Sequence, residues 1–266
     1  MKVQVLVATM DLKPGTDLPI GLRDLMQNKI KHTVVNQGIA YNKNIFPNHP
    51  DLHIQSFTEK GLSISRNRNI KLLTESIGLI TDQDVRFKPD FQNTIITAFE
   101  KSPNADIIIF QIEDEQAMPF KKYKKHSFWM NQRDIMKVSS IEIALRTTSI
   151  VEKELLFDED FGLGSTYPTG EEAIFLSDAL KMGLKIKYIP APIVIHPKGS
   201  SGYQFSQNKS LIRAKGAMFY RMFTQKAYLI SIIFAFKKYK LSSESLINFV
   251  KLMFEGISSY KNLRNE

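Results

Sequence analysis

The chain has 266 residues, 43% of them hydrophobic, and no cysteine. That length and apolar content suit one large α/β domain with an appendage, and the missing thiol excludes a disulfide framework, Cys-ligated zinc and thiol catalysis. The formal charge of +9 gathers at one end: from Lys198 onward there are 12 Lys and Arg against 3 acids, while the preceding residues carry 24 of each sign.

Val3–Ala8 reads as a buried first strand, its apolar run too short for a secretory signal. Leu18–Gln27 is a short helical candidate, and Lys31–Asn36 and Leu52–Phe57 read as strands bounded by Asn, Pro and Asp. A helix is expected from about Ser63, a strand over Ile77–Thr81, a helix from about Pro89 to Glu100, and a strand over Ala105–Phe110. Such alternation predicts a parallel sheet with crossover helices. Gln111–Arg133, basic at Lys121–Lys125, reads as an excursion over the sheet. Ile141–Arg146 resumes the core as a strand, and Phe157–Tyr167 is a glycine-bearing loop. An amphipathic helix opens at Gly170-Glu171-Glu172 and ends at Met182-Gly183, where glycine suits the residue after a helix. The strand Leu184–Ile189 and the segment Pro192–His196 complete the domain.

Beyond Ser200 only helical periodicity remains. Leu211, Met218, Met222, Leu229 and Ile233, with Ile212, Phe219, Phe223, Ile230 and Phe234 beside them, predict one amphipathic helix; Arg213, Lys215, Arg221 and Lys226 fall among its more polar positions. A second helix is expected after Ser242 as N-cap, carrying Leu246, Phe249, Val250, Met253 and Ile257. Ala227–Phe236, the longest strongly apolar run, is far below the roughly 20 residues that span a bilayer.

Thr81-Asp82-Gln83-Asp84-Val85 carries the strongest chemical signal. It follows the apolar run Ile77–Ile80, so the strand ends in two carboxylates one residue apart, at the sheet edge where open α/β folds bind ligands. Asp82 and Asp84 on a shared face suit a hard divalent cation, one directly and the other directly or through water. The same triplet also suits an ordinary turn.

In order along the chain stand Val5-Leu6-Val7-Ala8-Thr9, Lys60-Gly61-Leu62-Ser63-Ile64-Ser65-Arg66-Asn67, Asp82-Gln83-Asp84 and Gly170-Glu171-Glu172. In that order and spacing, over about residues 3 to 197, the sequence resembles glycosyltransferase family 2, the GT-A fold enzymes of bacterial surface-polysaccharide synthesis. The resemblance implies a GT-A, Rossmann-like, mostly parallel sheet flanked by helices. Residues 1–200 would then form the catalytic domain, with nucleotide-sugar binding in about 1–110 and acceptor and base in about 111–200. Residues 201–266 would follow as a basic amphipathic helical tail.

Roles follow from the resemblance. Thr9 and Asn36 would border the nucleoside, with Asn36 replacing the family's more usual Asp and so losing a charge. Arg66 would lie near the donor diphosphate, for which a guanidinium is suited, and Asp82 would join it at the nucleotide. Asp84 and Asp82 would hold Mn2+ or Mg2+, with His196 as a further ligand that would favour manganese. Glu171 and Glu172 match the acidic pair whose second member is the catalytic base of inverting relatives, with Glu172 in place of the more frequent Asp.

The expected enzyme is an inverting, metal-dependent, hexosyltransferase-like glycosyltransferase. It would move sugar from a nucleotide donor, expected to be UDP-linked, to a glycan or lipid-linked acceptor. A nucleotidyltransferase is the nearest rival, but Thr9–Gly15 supplies only one glycine and one lysine for a phosphate loop. The rival of another class is a non-catalytic nucleic-acid or membrane-binding module that uses the basic tail. The charge and apolar stripe of the tail point to an anionic membrane surface, or to a second copy through the C-terminal helices, rather than to nucleic acid. The expected location is cytoplasmic and peripheral on the inner face of the membrane.

Overall fold

The computed structural model describes residues 1–13, 17–38, 51–197 and 208–264. The elements in chain order are β1 (Val3–Met10), α1 (Ile20–Gln27), β2 (His32–Gln37), β3 (Leu52–Phe57), α2 (Leu62–Lys71), β4 (Ile77–Asp82), β5 (Arg86–Phe87) and α3 (Phe91–Glu100). They continue as β6 (Ile107–Glu113), β7 (Phe128–Trp129), β8 (Ile143–Arg146), α4 (Thr147–Glu152), α5 (Glu171–Lys181), β9 (Ile186–Ile195), α6 (Lys209–Phe223), α7 (Ala227–Lys238) and α8 (Leu246–Leu263).

The strands form one sheet in the order β3-β2-β1-β4-β8-β6-β9-β5, with β7 pairing β9 off that path. β3, β2, β1 and β4 are parallel, as the alternation of strand and helix predicts. β8 departs from that pattern by running antiparallel between β4 and β6. No α-helix lies between β6 and β8, whereas parallel neighbours are usually joined through a crossover helix.

Both faces of the sheet are covered, so the strands read as apolar runs and successive residues feed opposite cores. Val5, Val7, Leu79, Ile108 and Phe110 pack with α1 and α3 residues such as Leu22, Leu25, Ile95 and Phe99. Leu6, Ile80, Ile107 and Ile109 belong to the other cluster, with Ile174 and Phe175 of α5 and Met218, Phe249, Met253 and Ile257 of α6 and α8. The C-terminal helices thus share a core with the sheet. The expected division between residues 200 and 201 lies outside the described residues.

Two expectations for the tail are corrected. The apolar stripe from Leu211 to Phe234 is broken into α6 and α7 at Thr224, whose φ of 50° and ψ of −126° leave helical geometry. Ser245, not Ser242, caps α8, accepting a hydrogen bond from the Asn248 amide at 3.2 Å. Ser242 closes the preceding turn instead, donating to the Tyr239 carbonyl at 2.7 Å. Among the described residues no helix is long and apolar enough to cross a membrane.

α6 and α8 cross through two glycines. A Cβ on Gly256 would overlap the Arg213 carbonyl, and one on Gly216 would overlap the Met253 carbonyl, so each helix accepts the backbone of the other. Gly256→Ala must part the helices, and overpacking of this kind costs about 1–3 kcal/mol or more. A clear fall in melting temperature is expected, beside Ser258→Ala on the exposed side of the same helix, which should change stability by under about 0.5 kcal/mol. Equal melting of the two variants would refute the close crossing.

Candidate active site

Strand order places the site. β1 lies between β2 on one side and β4 on the other, so the crevice at their carboxyl ends is a topological switch point, the usual ligand position in open α/β sheets. Register pairs Thr9 with Asn36 and Ala8 with Asp82, bringing three of the expected site residues to this edge.

α2 supplies the centre of the site. Its sequence LSISRNRNIK has few apolar residues, yet Ser63, Ser65, Arg66, Asn67 and Asn69 are all buried. Burial of so many polar groups requires partners. Ser63 Oγ donates to the Phe161 carbonyl at 2.5 Å, and Asn67 accepts from the Phe157 amide at 2.7 Å while donating to the Phe157 carbonyl at 3.0 Å. Asn69 donates to the Val7 carbonyl at 2.9 Å. α2 is therefore held between β1 and the 157–167 loop, and that fixes Arg66.

Arg66 is 3% exposed and stands among three carboxylates: Glu171 at 3.1 Å, Asp82 at 3.4 Å and Glu172 at 3.7 Å. Its guanidinium carbon lies 5.5 Å from the centroid of Phe157, which stacks on Phe175 at 4.2 Å. Burial opposes the guanidinium charge, but Asp82, Glu172 and Glu171 outweigh it and raise the Arg66 pKa. The expected helix-borne phosphate ligand is thus also the ion that joins the acid of β4 to the acids of α5.

Gly170 precedes those acids with φ at +100°, a left-handed turn that suits glycine. A Cβ there would come within 2.8 Å of Met218 Sδ, so α6 closes directly over the start of α5. Glu171 and Glu172 occupy the first turn of α5, where the helix dipole favours a negative charge. Desolvation and the neighbouring Glu171 nevertheless push the Glu172 carboxyl up to about 7, against the opposing pull of Arg66. A carboxylate at that pKa suits general base catalysis near neutrality.

The two acids of the Asp-Gln-Asp triplet part company. Asp82 turns to Arg66, whereas Asp84, 66% exposed, lies 3.7 Å from His196 Nε2. The pairing of Arg86 with Ile195 between β5 and β9 explains this contact, since it carries the residues just before Arg86 past those just after Ile195. The proximity of the two groups lowers the Asp84 pKa and raises that of His196. Gly21 lets α1 pass beneath the triplet, because a Cβ there would overlap the Val85 carbonyl.

Thr9 and Asn36 reach the edge but have their side chains engaged by protein. Thr9 Oγ1 donates to Gln83 Oε1 and so braces the triplet. Asn36 accepts from the Leu12 amide and donates to the Leu12 carbonyl, both at 3.0 Å, and also donates to Ser56 Oγ at 3.3 Å. It is fully buried, holding the segment after β1. An Asn can satisfy both Leu12 groups, which an Asp carboxylate could not.

Lys215 is a further charged group near the two glutamates. It lies three residues after Ile212 and four before Phe219, on the inner face of α6 rather than among its polar positions. Burial lowers its pKa, and the charges of Glu172 and Glu171 pull it back up. A lysine at an apolar heptad position was the available signal.

The donors near the cleft suit a hard divalent cation in part. Among the described residues no three His, Cys, Asp or Glu side chains are gathered into a ready cage. Asp84 and His196 form an oxygen and nitrogen pair 3.7 Å apart, fewer donors than such a cation takes.

No protein-family model and no curated protein matches the chain. Solved structures do. S. aureus TarS 1–349 in complex with UDP-GlcNAc superposes with a TM-score of 0.61 at 14% identity, over 91% of this chain and 74% of that one. The complex of the same fragment with UDP gives 0.59 at 14% identity, over 88% and 70%. TarS 1–349 without a named ligand gives 0.60 at 11% identity, over 98% and 92%. The likeness shows a shared fold, a mixed α/β architecture with a central sheet flanked by helices.

Proposed function

We propose that the protein is an inverting glycosyltransferase that moves a sugar from a UDP-linked donor to a glycan or lipid-linked acceptor in surface-polysaccharide synthesis. The observation that carries this reading is the assembly of Arg66, Asp82, Glu171 and Glu172 at the sheet switch point, with a carboxyl in the group tuned to about 7. The ordered motifs of glycosyltransferase family 2 fall on these same residues, and the TarS structures that share the fold are described with UDP and UDP-GlcNAc.

In the proposed reaction the acceptor hydroxyl oxygen attacks the anomeric carbon from the face opposite the diphosphate. Its proton passes to the Glu172 carboxylate as the new bond forms. The bond from the anomeric carbon to the diphosphate oxygen breaks, and its electron pair leaves with the nucleoside diphosphate. Arg66, itself bound by Glu171, holds Glu172 in place, and Lys215 adds positive charge near it. Asp84 and His196 would hold Mn2+ or Mg2+, which supplies Lewis-acid stabilisation to the departing diphosphate. Thr9 and Asn36 shape the nucleoside end by bracing Gln83 and the Leu12 segment. In this reading the enzyme works in the cytoplasm, on the inner face of the membrane that holds its acceptor.

Calorimetry with UDP-sugars in the presence and absence of Mn2+ tests the donor and metal assignments. The intact protein should bind in a manganese-dependent way, and Asp84→Ala should lose most of that signal while melting normally, because Asp84 is largely exposed. Undiminished binding by the folded variant removes the metal site. Failure of the intact protein to bind any nucleotide sugar removes the glycosyltransferase reading.

A further inference from the structure

Apart from Lys215 and from Lys251 and Lys261 on α8, the positive charge of the C-terminal helices falls into two groups. One anchors the helices: Arg221 binds Asp178 at 2.6 Å and Asp158 at 2.7 Å, Arg264 binds Asp160 at 3.2 Å, Arg213 binds Glu255 at 2.8 Å and Lys209 binds Glu244 at 3.3 Å. The other lies on and beside α7. Lys226, Lys237, Lys238 and Lys240 are exposed, and none of them is ion-paired to another described residue. No acid occurs from Thr224 to Ser243.

α7 is apolar on both sides. Ala227, Ser231 and Ala235 are its buried residues, while Leu229, Ile233 and Phe236 are 63%, 47% and 62% exposed. Their spacing of four and three residues sets them in one ridge on the outer face. Leu241 and Ile247, in the following turn and at the start of α8, are 62% and 83% exposed. Small residues inward and large apolar residues outward reverse the usual order for a surface helix.

We infer that the outer face of α7 docks on an anionic lipid bilayer, with Leu229, Ile233 and Phe236 entering the headgroup boundary and the four lysines meeting lipid phosphates. An apolar ridge with flanking lysines is the composition of a helix that lies in the membrane interface. A second copy of this chain fits less well. Two such faces would bring eight lysines together without an acid, and a handful of apolar side chains falls short of the roughly 20–30 residues a side of a stable interface. The inference narrows the membrane-face location proposed above to one helix, and it stands without the transfer reaction, since its test uses no donor.

Sedimentation with vesicles decides the matter, using the full chain. The protein should pellet with mixed phosphatidylglycerol and phosphatidylcholine vesicles at least about tenfold more than with phosphatidylcholine alone, and high salt should release it. Two variants separate the contributions: Leu229→Asn with Ile233→Asn and Phe236→Asn, and Lys226→Gln with Lys237→Gln, Lys238→Gln and Lys240→Gln. All of these side chains are exposed, so the melting temperature should hold while binding falls about tenfold or more in each variant. Absence of the intact protein from the anionic pellet, equal pelleting with neutral vesicles, or unchanged binding by either variant overturns the inference. So does a dimer by light scattering that the ridge variant converts to monomer without any vesicle binding, which would assign the ridge to a second copy.

Discussion

Glu172→Gln is expected to lower turnover about 10²-fold or more while leaving donor binding intact, because an amide cannot take the acceptor proton. The same substitution should stabilise the protein at neutral and alkaline pH. The Glu172 carboxyl is raised from 4.5 to about 7 in the folded chain, chiefly by burial, so the folded state holds its proton longer than the unfolded state. Below pH 4.5 both states are protonated and the group contributes nothing. Between 4.5 and 7 the unfolded state ionises first, stability falls, and above about 7 the loss is complete. Gln does not ionise, so the melting temperature of the variant relative to the intact protein should climb through that window and then level off. A difference that is flat with pH would refute the desolvated carboxyl, and retained turnover would refute the base. The pH profile of the intact enzyme gives an independent check. Its kcat/KM should fall on the acid side near pH 7 rather than near the ordinary carboxylate range.

Arg66→Met should be among the most destabilising single changes in the chain. It leaves Glu171, with a 6% exposed side chain, beside Asp82 and Glu172 without their shared cation. Breaking a buried ion pair from one side costs about 3–5 kcal/mol, which corresponds to a fall in melting temperature on the order of 10 °C for a chain of this size. Arg66→Lys should recover little of it, since a single ammonium cannot span two carboxylates as the guanidinium fork does. Adding Glu171→Gln to Arg66→Met should restore part of the loss by removing one stranded charge. Melting of Arg66→Met within about 2 °C of the intact protein would contradict the buried cluster.

Most of the strand and helix order was legible because the sheet is covered on both faces, so its strands appear as short apolar runs between Gly, Pro, Asn and Asp. The reversed β8 was not, because direction leaves no mark in the periodicity of a strand of only four residues. The break at Thr224 was hidden for a related reason: the apolar spacing continues across it, and only the backbone dihedrals depart from the helix.

By itself the sequence determined the candidate chemistry at Asp82, Asp84, Arg66, Glu171 and Glu172, since residue type and position after a strand or at a helix start are local facts. Tertiary structure decided how they are used. α2, pinned by its buried Ser and Asn side chains, carries Arg66 between acids 16 and 105 residues away. The pairing of β5 with β9 sets His196 against Asp84, and α6 brings Lys215 to the glutamates. Asn36 shows the converse: its residue type permits a base contact, but its amide is taken by Leu12. Only the packed chain decides which of its polar groups are used up internally and which are left for a ligand, because that depends on partners distant in sequence.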